Sequence, residues 1–157
     1  GEFAYTTFTS RLGFEELPEL PTRFHPSLLQ ECITAWCEVR TFYLMGEFFS
    51  EATVTSGNQT NLNDTVFTDI KLKGIEAETY YVPYQLPAAI EEKLELLMRK
   101  LELNTGSIDL MVSEEGEYYF LEVNPGGQFS APSERANFNL EKRVAETLIE
   151  QDQNHAR

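Results

Sequence analysis

The sequence predicts an α+β fold, in which a mostly antiparallel β-sheet is packed against helices. Two pairs of β-rich segments each flank a short turn that contains glycine, which is the pattern of a β-hairpin. Two later segments repeat apolar residues at intervals of three and four, which is the pattern of an amphipathic helix. At 157 residues, of which 41% are hydrophobic, the chain suffices for one domain or for one substantial part of a larger one.

The first half of the chain predicts a connector, a hairpin and a loop. Residues 15–27 contain three prolines and predict an irregular connector. Residues 37–45 and 48–54 are rich in aromatic and β-branched side chains and predict the strands of the first hairpin. Ser, Gly, Asn and Thr dominate residues 56–64, as is typical of a mobile loop, and residues 80–84 predict a short extended segment.

The second half predicts a helix, a second hairpin and a last helix. Apolar residues recur every three or four positions in residues 87–101, and Pro87 suits a first helical turn. Residues 107–112 and 117–123 flank Ser-Glu-Glu-Gly and predict the second hairpin. The last helix is predicted over residues 139–151, with an apolar side formed by Leu140, Val144, Leu148 and Ile149.

Charge and composition exclude several classes of partner. The net charge of −14 and the lack of a basic patch argue against a nucleic-acid partner, which requires clustered Lys and Arg. No apolar run approaches the roughly 20 residues of a membrane span, and the N-terminus lacks a signal-peptide pattern. We therefore expect a cytoplasmic protein with no membrane partner, in which Cys32 and Cys37 are reduced core thiols.

The second hairpin places polar groups on one face of a strand that also contains aromatics. Because side chains alternate along a strand, Tyr118, Phe120, Glu122 and Asn124 are expected on one face. A turn of two or four residues centred on residues 115–116 puts Asp109 directly opposite Glu122, whereas a three-residue turn shifts the register and separates them. Directly opposed carboxylates destabilise a sheet by roughly 0.2–1 kcal/mol.

A divalent cation removes this repulsion, and two carboxylates with an amide oxygen are ligands that suit Mg²⁺. The alternative is that Asp109 and Glu122 lie on a solvated sheet face. Spacing alone favours the solvated face, although the Pro-Gly-Gly at residues 125–127 permits a close backbone approach at the edge of a metal site.

Several short sequence motifs resemble those of a known enzyme family. Gly106-Ser-Ile-Asp-Leu-Met, followed by Tyr119-Phe-Leu-Glu-Val-Asn-Pro-Gly-Gly-Gln, resembles the C-terminal metal-binding signature of ATP-grasp ligases. Within that family it is similar to the graspetide synthetases, which include the microviridin-type ligases and the maturases of grasp-with-spasm systems. Other segments also resemble family segments and occur in the same order along the chain. They include Gln30-Glu-Cys-Ile, Glu38-Val-Arg-Thr-Phe-Tyr-Leu-Met-Gly and Asn137-Phe-Asn-Leu-Glu-Lys.

The resemblance implies a role for each matching residue. It implies that Asp109, Glu122 and Asn124 hold Mg²⁺ against the phosphates of ATP. It implies that Arg40 contacts the γ-phosphate or the acyl phosphate, where its planar donor pair suits bidentate contact. It further implies a contact of Glu38 with the ribose hydroxyls, and a border to the adenine formed by Gln30, Glu31 and Ile33.

The implied fold is the C-terminal half of an ATP-grasp enzyme. Residues 1–27 would form a connector and the end of the lid subdomain, residues 28–151 the C-terminal catalytic subdomain, and residues 152–157 a tail. The implied activity is ligation: ATP activates Asp or Glu side chains of a ribosomal precursor peptide as acyl phosphates, and an ester or amide cross-link follows. The implied cofactors are ATP and Mg²⁺, and this piece alone is expected to be inactive.

Two departures from the family pattern keep a second hypothesis open. Relatives carry lysines before the acid-x-Arg strand, where this chain has Ala35 and Trp36, and an Asp-aromatic-Arg motif near Thr65, where no arginine follows. Loss of cationic groups at a phosphate site leaves developing charge without a partner. The alternative is a non-catalytic peptide-binding or dimerisation module derived from the ATP-grasp fold, with a homodimer as a further option.

Overall fold

The structure is a computed structural model, and it describes residues 12–23, 26–55 and 79–155. These residues form one five-stranded sheet of order β3-β2-β1-β4-β5, in which every neighbouring pair of strands is antiparallel. The predicted α+β fold with packed helices is therefore confirmed. In chain order the elements are a 3-10 turn at Leu17–Glu19, β1 Ala35–Leu44, β2 Glu47–Thr55, β3 Thr79–Tyr84, α1 Ala88–Lys100, β4 Thr105–Ser113, β5 Tyr118–Asn124, α2 Ser130–Arg135 and α3 Leu140–His155.

The two predicted hairpins form the centre and one side of the sheet. β1 and β2 join through a turn at Met45 and Gly46, whose φ angles of 50° and 98° match the two-residue turn that suits the twist of paired strands. β1 also pairs with β4, so the two hairpins share this central strand. The site residues predicted on β1 and on the second hairpin are thus carried by three adjacent strands.

Helix α1 covers one face of the sheet. Its buried residues Leu94 and Met98 lie four apart and pack with Val39, Ile108 and Leu110 of the strands. Met98 has no exposed surface. Positions 39, 108 and 110 therefore define the core side of β1 and β4, and the alternate positions of those strands face the other way.

Helix α3 covers part of the opposite face. Leu140 is fully buried and packs with Phe42 and Leu44 of β1, so the fold has three layers. The helix continues to His155, four residues beyond its predicted end. The predicted apolar side holds for the first half of the helix only, because Leu148 and Ile149 are 64% and 57% exposed.

The short helix α2 was not predicted. Its Ser133 side chain is buried, donates a 2.5 Å hydrogen bond to Glu141 Oε2, and accepts one of 2.9 Å from the backbone N–H of Leu140. Ser133 therefore caps the start of α3 from outside that helix. Its hydrogen bond lowers the pKa of Glu141, since it favours the charged carboxylate.

The two cysteines differ in their surroundings, which corrects the prediction that both are core thiols. Cys37 is buried in the core beneath α1, whereas Cys32 is exposed. Burial, with a smaller effect of the Glu38 carboxylate, raises the pKa of Cys37 to about 11, because desolvation disfavours the thiolate.

We expect thiol reagents to distinguish these two residues. At pH 8 one thiol per chain, Cys32, should react with a disulfide reagent within minutes, and Cys37 should react only after unfolding in urea. The measurement is the absorbance of the released thiolate, with the variant Cys32→Ser as the control. Rapid reaction of that variant in the absence of urea would contradict the placement of Cys37.

Among the helices that the structure describes, none has the length and apolar character needed to cross a membrane. The predicted loop at residues 56–64 and the departure at Thr65 lie outside the described residues.

Candidate functional site

One row of charged residues crosses the sheet from strand to strand. Arg40 of β1 lies opposite Glu51 of β2 on one side and opposite Asp109 of β4 on the other. Asp109 in turn lies opposite Glu122 of β5, as the sequence predicted. Directly opposed residues share one face of a sheet, with Cβ atoms roughly 4.5–5.5 Å apart. The row therefore brings the predicted residues Arg40, Asp109 and Glu122 together.

The register that pairs Asp109 with Glu122 arises in a different way from the one predicted. The turn of this hairpin has three residues, since Ser113 N donates to Glu117 O at 2.9 Å. That turn alone would shift the register by one, but β5 contains one extra residue, Leu121, between the Leu110–Phe120 and Asp109–Glu122 pairs. This β-bulge restores the pairing of the two carboxylates.

The bulge also corrects the predicted faces of β5. Tyr118 pairs with the buried Val112 and packs on the core beneath α1, whereas Glu122 shares the opposite face with Asp109. Tyr118 and Phe120, which pair with the core residues Val112 and Leu110, thus do not share the side of Glu122. Leu121, the extra residue, is 45% exposed, whereas Val123 packs against the core.

Arg40 and Asp109 form a two-point ion pair. Arg40 Nε donates to Asp109 Oδ1 at 2.7 Å and Nη2 donates to Oδ2 at 2.9 Å. The side chains are 48% and 22% exposed, so the pair is accessible from solvent. These hydrogen bonds raise the pKa of Arg40 above its ordinary value, whereas partial burial acts to lower it.

On the β2 side of Arg40, the carboxylate of Glu51 is engaged by Arg135 of α2. Glu51 is only 1% exposed, and both of its oxygens accept hydrogen bonds from the Arg135 guanidinium, from Nε at 3.3 Å and from Nη2. The same guanidinium lies 3.8 Å from the ring centre of Tyr81 on β3, within the range of a cation–π contact. Sequence reasoning missed Glu51 and Arg135, because neither stands in a recognisable motif.

Asn124 and the Pro-Gly-Gly segment lie at the edge of the same face. Asn124 pairs with Ser107, two positions along from the Asp109–Glu122 pair. Its side-chain oxygen Oδ1 accepts a hydrogen bond from Gly126 N at 3.1 Å, which fixes the orientation of the amide. The close approach expected of the glycines occurs at Gly127, because a Cβ atom there would lie 2.6 Å from the backbone N of Ser107.

We expect Gly127→Ala to destabilise the fold by about 1–3 kcal/mol, because the added methyl group overlaps the β4 backbone. Gly126→Ala is the matched control, since a Cβ atom there meets only Asn124 Oδ1 at 3.8 Å. Urea unfolding of both variants measures the difference. Equal stability of the two alanine variants would contradict the close approach of Gly127 to Ser107.

The residues predicted to border a nucleotide lie at the start of β1. Glu38 is two positions from Arg40 on the same strand and therefore shares its face. Gln30 and Glu31 are exposed and Ile33 is partly buried in the irregular segment before the strand. On β5, the hydroxyl of Tyr119 donates a hydrogen bond to Glu117 Oε2 at 2.8 Å. This hydrogen bond is the main cause of the raised pKa of Tyr119, and burial and nearby carboxylates raise the pKa further.

The donor set of this face suits Mg²⁺. Asp109, Glu122 and Asn124 supply two carboxylates and one amide oxygen from adjacent positions of two paired strands, and hard cations prefer such oxygen ligands. Glu122 and Asn124 are exposed and accessible to a ligand. Within residues 12–23, 26–55 and 79–155, no group of three or more His, Cys, Asp or Glu side chains is placed to hold a metal ion. Two carboxylates and one amide oxygen suit a Mg²⁺ ion that takes its remaining ligands from water or phosphate.

An apolar groove runs beside the Pro-Gly-Gly segment. It has a volume of about 560 Å³ and lies between the end of β1 and helix α3. Its lining includes Phe42, Leu44, Gly127, Phe129, Val144 and Leu148.

No family model and no curated protein matches this chain. Solved structures do match. The RiPP-associated ATP-grasp ligase of Chryseobacterium gregarium, in complex with ADP and a leader and core peptide, is 28% identical with a TM-score of 0.50, and the match covers 64% of this chain and 28% of that one. The macrocyclase MdnB of Microcystis aeruginosa MRC is 24% identical with a TM-score of 0.56, over 77% of this chain and 40% of that one.

The ATP-grasp ligase PsnB, complexed with a phosphomimetic variant of its minimal precursor, Mg and ADP, has a TM-score of 0.61 at 19% identity. That match covers 78% of this chain and 35% of PsnB. The chain thus spans between about a quarter and two fifths of the solved structures named here. The resemblance to part of an ATP-grasp peptide maturase is confirmed, and the antiparallel sheet with its helices corresponds to part of that fold.

Proposed function

We propose that this chain carries the metal-binding and phosphate-binding part of an ATP- and Mg²⁺-dependent peptide ligase. The observation that carries the proposal is the single sheet face shared by one cationic and four oxygen-bearing side chains. These are Glu38, Arg40, Asp109, Glu122 and Asn124. The proposal draws further support from solved structures of matching fold, which hold ADP, Mg or precursor peptides.

The proposed reaction joins side chains of a ribosomal precursor peptide in two steps. In the first, the γ-phosphate of ATP passes to the carboxylate of a peptide Asp or Glu, which gives an acyl phosphate and ADP. In the second, a peptide hydroxyl or amine attacks the acyl carbon, forms an ester or amide and releases phosphate. Such a transfer requires little covalent chemistry from the protein, so positioning and charge neutralisation supply the catalysis.

Each residue of the face has a proposed part in this chemistry. Asp109, Glu122 and Asn124 would hold Mg²⁺, which neutralises phosphate charge when it is bound. Arg40 would donate two parallel hydrogen bonds to a phosphate, as it now does to Asp109.

The nucleotide would lie toward the start of β1. Glu38 would accept hydrogen bonds from the ribose hydroxyls, and the backbone of Gln30, Glu31 and Ile33 would border the adenine. In this proposal, residues 28–151 form the catalytic subdomain, residues 1–27 lead into it from the lid, and residues 152–157 follow it. The apolar groove beside Gly127 offers a surface for a peptide segment next to the metal ligands.

A non-catalytic peptide-binding or dimerisation module is the second candidate, and the start of β1 favours it. Ala35 is buried and Trp36 is half exposed at the two positions where the family resemblance implies lysines, so no cationic side chain stands there. A phosphate site without that charge would bind the nucleotide more weakly.

Nucleotide turnover tests the proposal. The protein that contains this chain is expected to consume ATP in the presence of Mg²⁺ only when its precursor peptide is added, and isothermal titration with Mg²⁺ and ADP is expected to give micromolar binding. The 157-residue chain alone is not expected to turn over. Heat-silent titration of the whole protein, together with the absence of peptide-stimulated ATP consumption, would favour the module.

A further inference from the structure

The guanidinium of Arg40 holds the carboxylate that the proposed metal site requires. Both oxygens of Asp109 accept hydrogen bonds from it, at 2.7 and 2.9 Å. A divalent cation bound to the same carboxylate would lie within a few ångströms of the guanidinium, and the two positive charges would repel each other. The Arg40–Asp109 pair and a bound metal therefore compete.

The neighbouring residues give Arg40 no second partner on the β2 side. Glu51 lies directly opposite Arg40, but its two oxygens are engaged by Arg135, which belongs to α2. The remaining carboxylate of the row, Glu122, has no ion pair within the part of the chain that the structure describes. Arg40 is thus directed to Asp109, while Glu122 remains available for a cation.

We propose that Arg40 regulates access to the metal site by competing with the divalent cation for Asp109. With no anionic ligand present, the guanidinium keeps Asp109 from the cation. Metal binding requires that Arg40 leave the carboxylate, and a phosphate offers it a substitute partner of the same bidentate geometry. This inference rests on the proposed function, since it assumes that Asp109 and Glu122 are metal ligands.

Mn²⁺ binding to the chain tests the competition without any need for turnover. Mn²⁺ accepts the same carboxylate and amide ligands and is measured by the electron paramagnetic resonance signal of the free ion. Arg40→Met removes the competing cation and keeps an unbranched apolar stem at this position. We expect it to tighten Mn²⁺ binding about three- to tenfold relative to the wild type, and we expect Arg40→Lys, which lacks the two-point contact, to lie between them.

Arg143→Met is the matched control for the loss of one positive charge. Arg143 also forms a two-point pair with an accessible carboxylate, Glu47, in which Nε donates at 3.0 Å and Nη2 also donates. Since Glu47 lies opposite Leu44, away from the Asp109 row, Mn²⁺ affinity should change by less than about twofold. An equal gain in both methionine variants would overturn the competition and leave only a general effect of charge.

Two further outcomes separate this inference from the proposed function. If Asp109→Asn weakens Mn²⁺ binding but neither Arg40 variant strengthens it, the metal site stands and the competition by Arg40 is wrong. If Mn²⁺ binding is absent in every variant, or is unchanged by Asp109→Asn and Glu122→Gln, both the metal site and the inference fail.

A spectroscopic measurement reports the release of Arg40 directly. The Nε–H signal of Arg40 in a ¹H–¹⁵N spectrum is assigned by its loss in Arg40→Met. Saturating Mg²⁺ should shift this signal, because the hydrogen bond to Asp109 breaks, while the Nε–H signal of Arg143 stays in place. An Arg40 signal that does not move when Mg²⁺ binds would contradict the proposal.

Discussion

Asp109→Asn combined with Glu122→Gln is expected to lower the peptide-dependent ATP consumption of the whole protein by on the order of 100-fold or more. The two changes remove both charged ligands of the proposed metal site but keep the size of each side chain. Without those charges the phosphates lack their counter-ion, whereas the sheet pairing of the two positions is retained. The measurement is the initial rate of ADP release at saturating peptide.

Glu114→Gln with Glu117→Gln is the matched control. Both residues are exposed and belong to the same hairpin, near its turn. The two substitutions remove two negative charges, as many as the Asp109→Asn, Glu122→Gln variant loses. We expect the control to retain at least half of the wild-type rate, since surface substitutions away from a site have small effects. Full activity in the Asp109→Asn, Glu122→Gln variant would rule out the metal-binding role of this pair.

Arg135→Met is expected to destabilise the fold by about 3 kcal/mol, because it leaves the carboxylate of Glu51 buried without a partner. The cation–π contact with Tyr81 is lost as well. Urea unfolding measures the free energy of unfolding. For comparison, Arg143→Met breaks an accessible pair with Glu47 and should cost no more than about 1 kcal/mol.

The double variant Glu51→Gln, Arg135→Met separates the loss of the ion pair from the loss of packing. We expect it to be more stable than Arg135→Met alone, because removal of the second charge ends the burial of an unpaired ion. A double variant less stable than both single variants would mean that Arg135 acts chiefly through packing against Tyr81.

The hairpins and α1 could be predicted because their signals are local. Gly46 marks one turn, and α1 alternates Leu94 and Met98 with charged residues at helical spacing. Helix α2 could not be predicted in this way, since it has six residues and Phe129 at its N-cap provides no side-chain hydrogen bond. Its capping role for α3 depends on Ser133, which lies seven residues before Leu140 and acts through tertiary contact.

The candidate site was predicted from one correct pairing, Asp109 with Glu122, and the prediction missed two charged residues, Glu51 and Arg135. Asp109 faces Glu122 as expected, but the bulge at Leu121 depends on packing of both strands and leaves no sign in the alternation of side chains. The Arg135–Glu51 pair joins residues 84 positions apart, which no local pattern can connect. The ion pair of Arg40 with Asp109 likewise follows from the register of β1 against β4.

The extra residue in β5 has a consequence for how the length of this hairpin can vary in evolution. Leu121 is 45% exposed and stands between two intact cross-strand pairs. A homologous chain that lacks this residue would still place Asp109 opposite Glu122 and Phe120 opposite Leu110, with Tyr118 and Val123 on the core side. Position 121 is therefore a point where the loss of one residue would not move the carboxylates against each other.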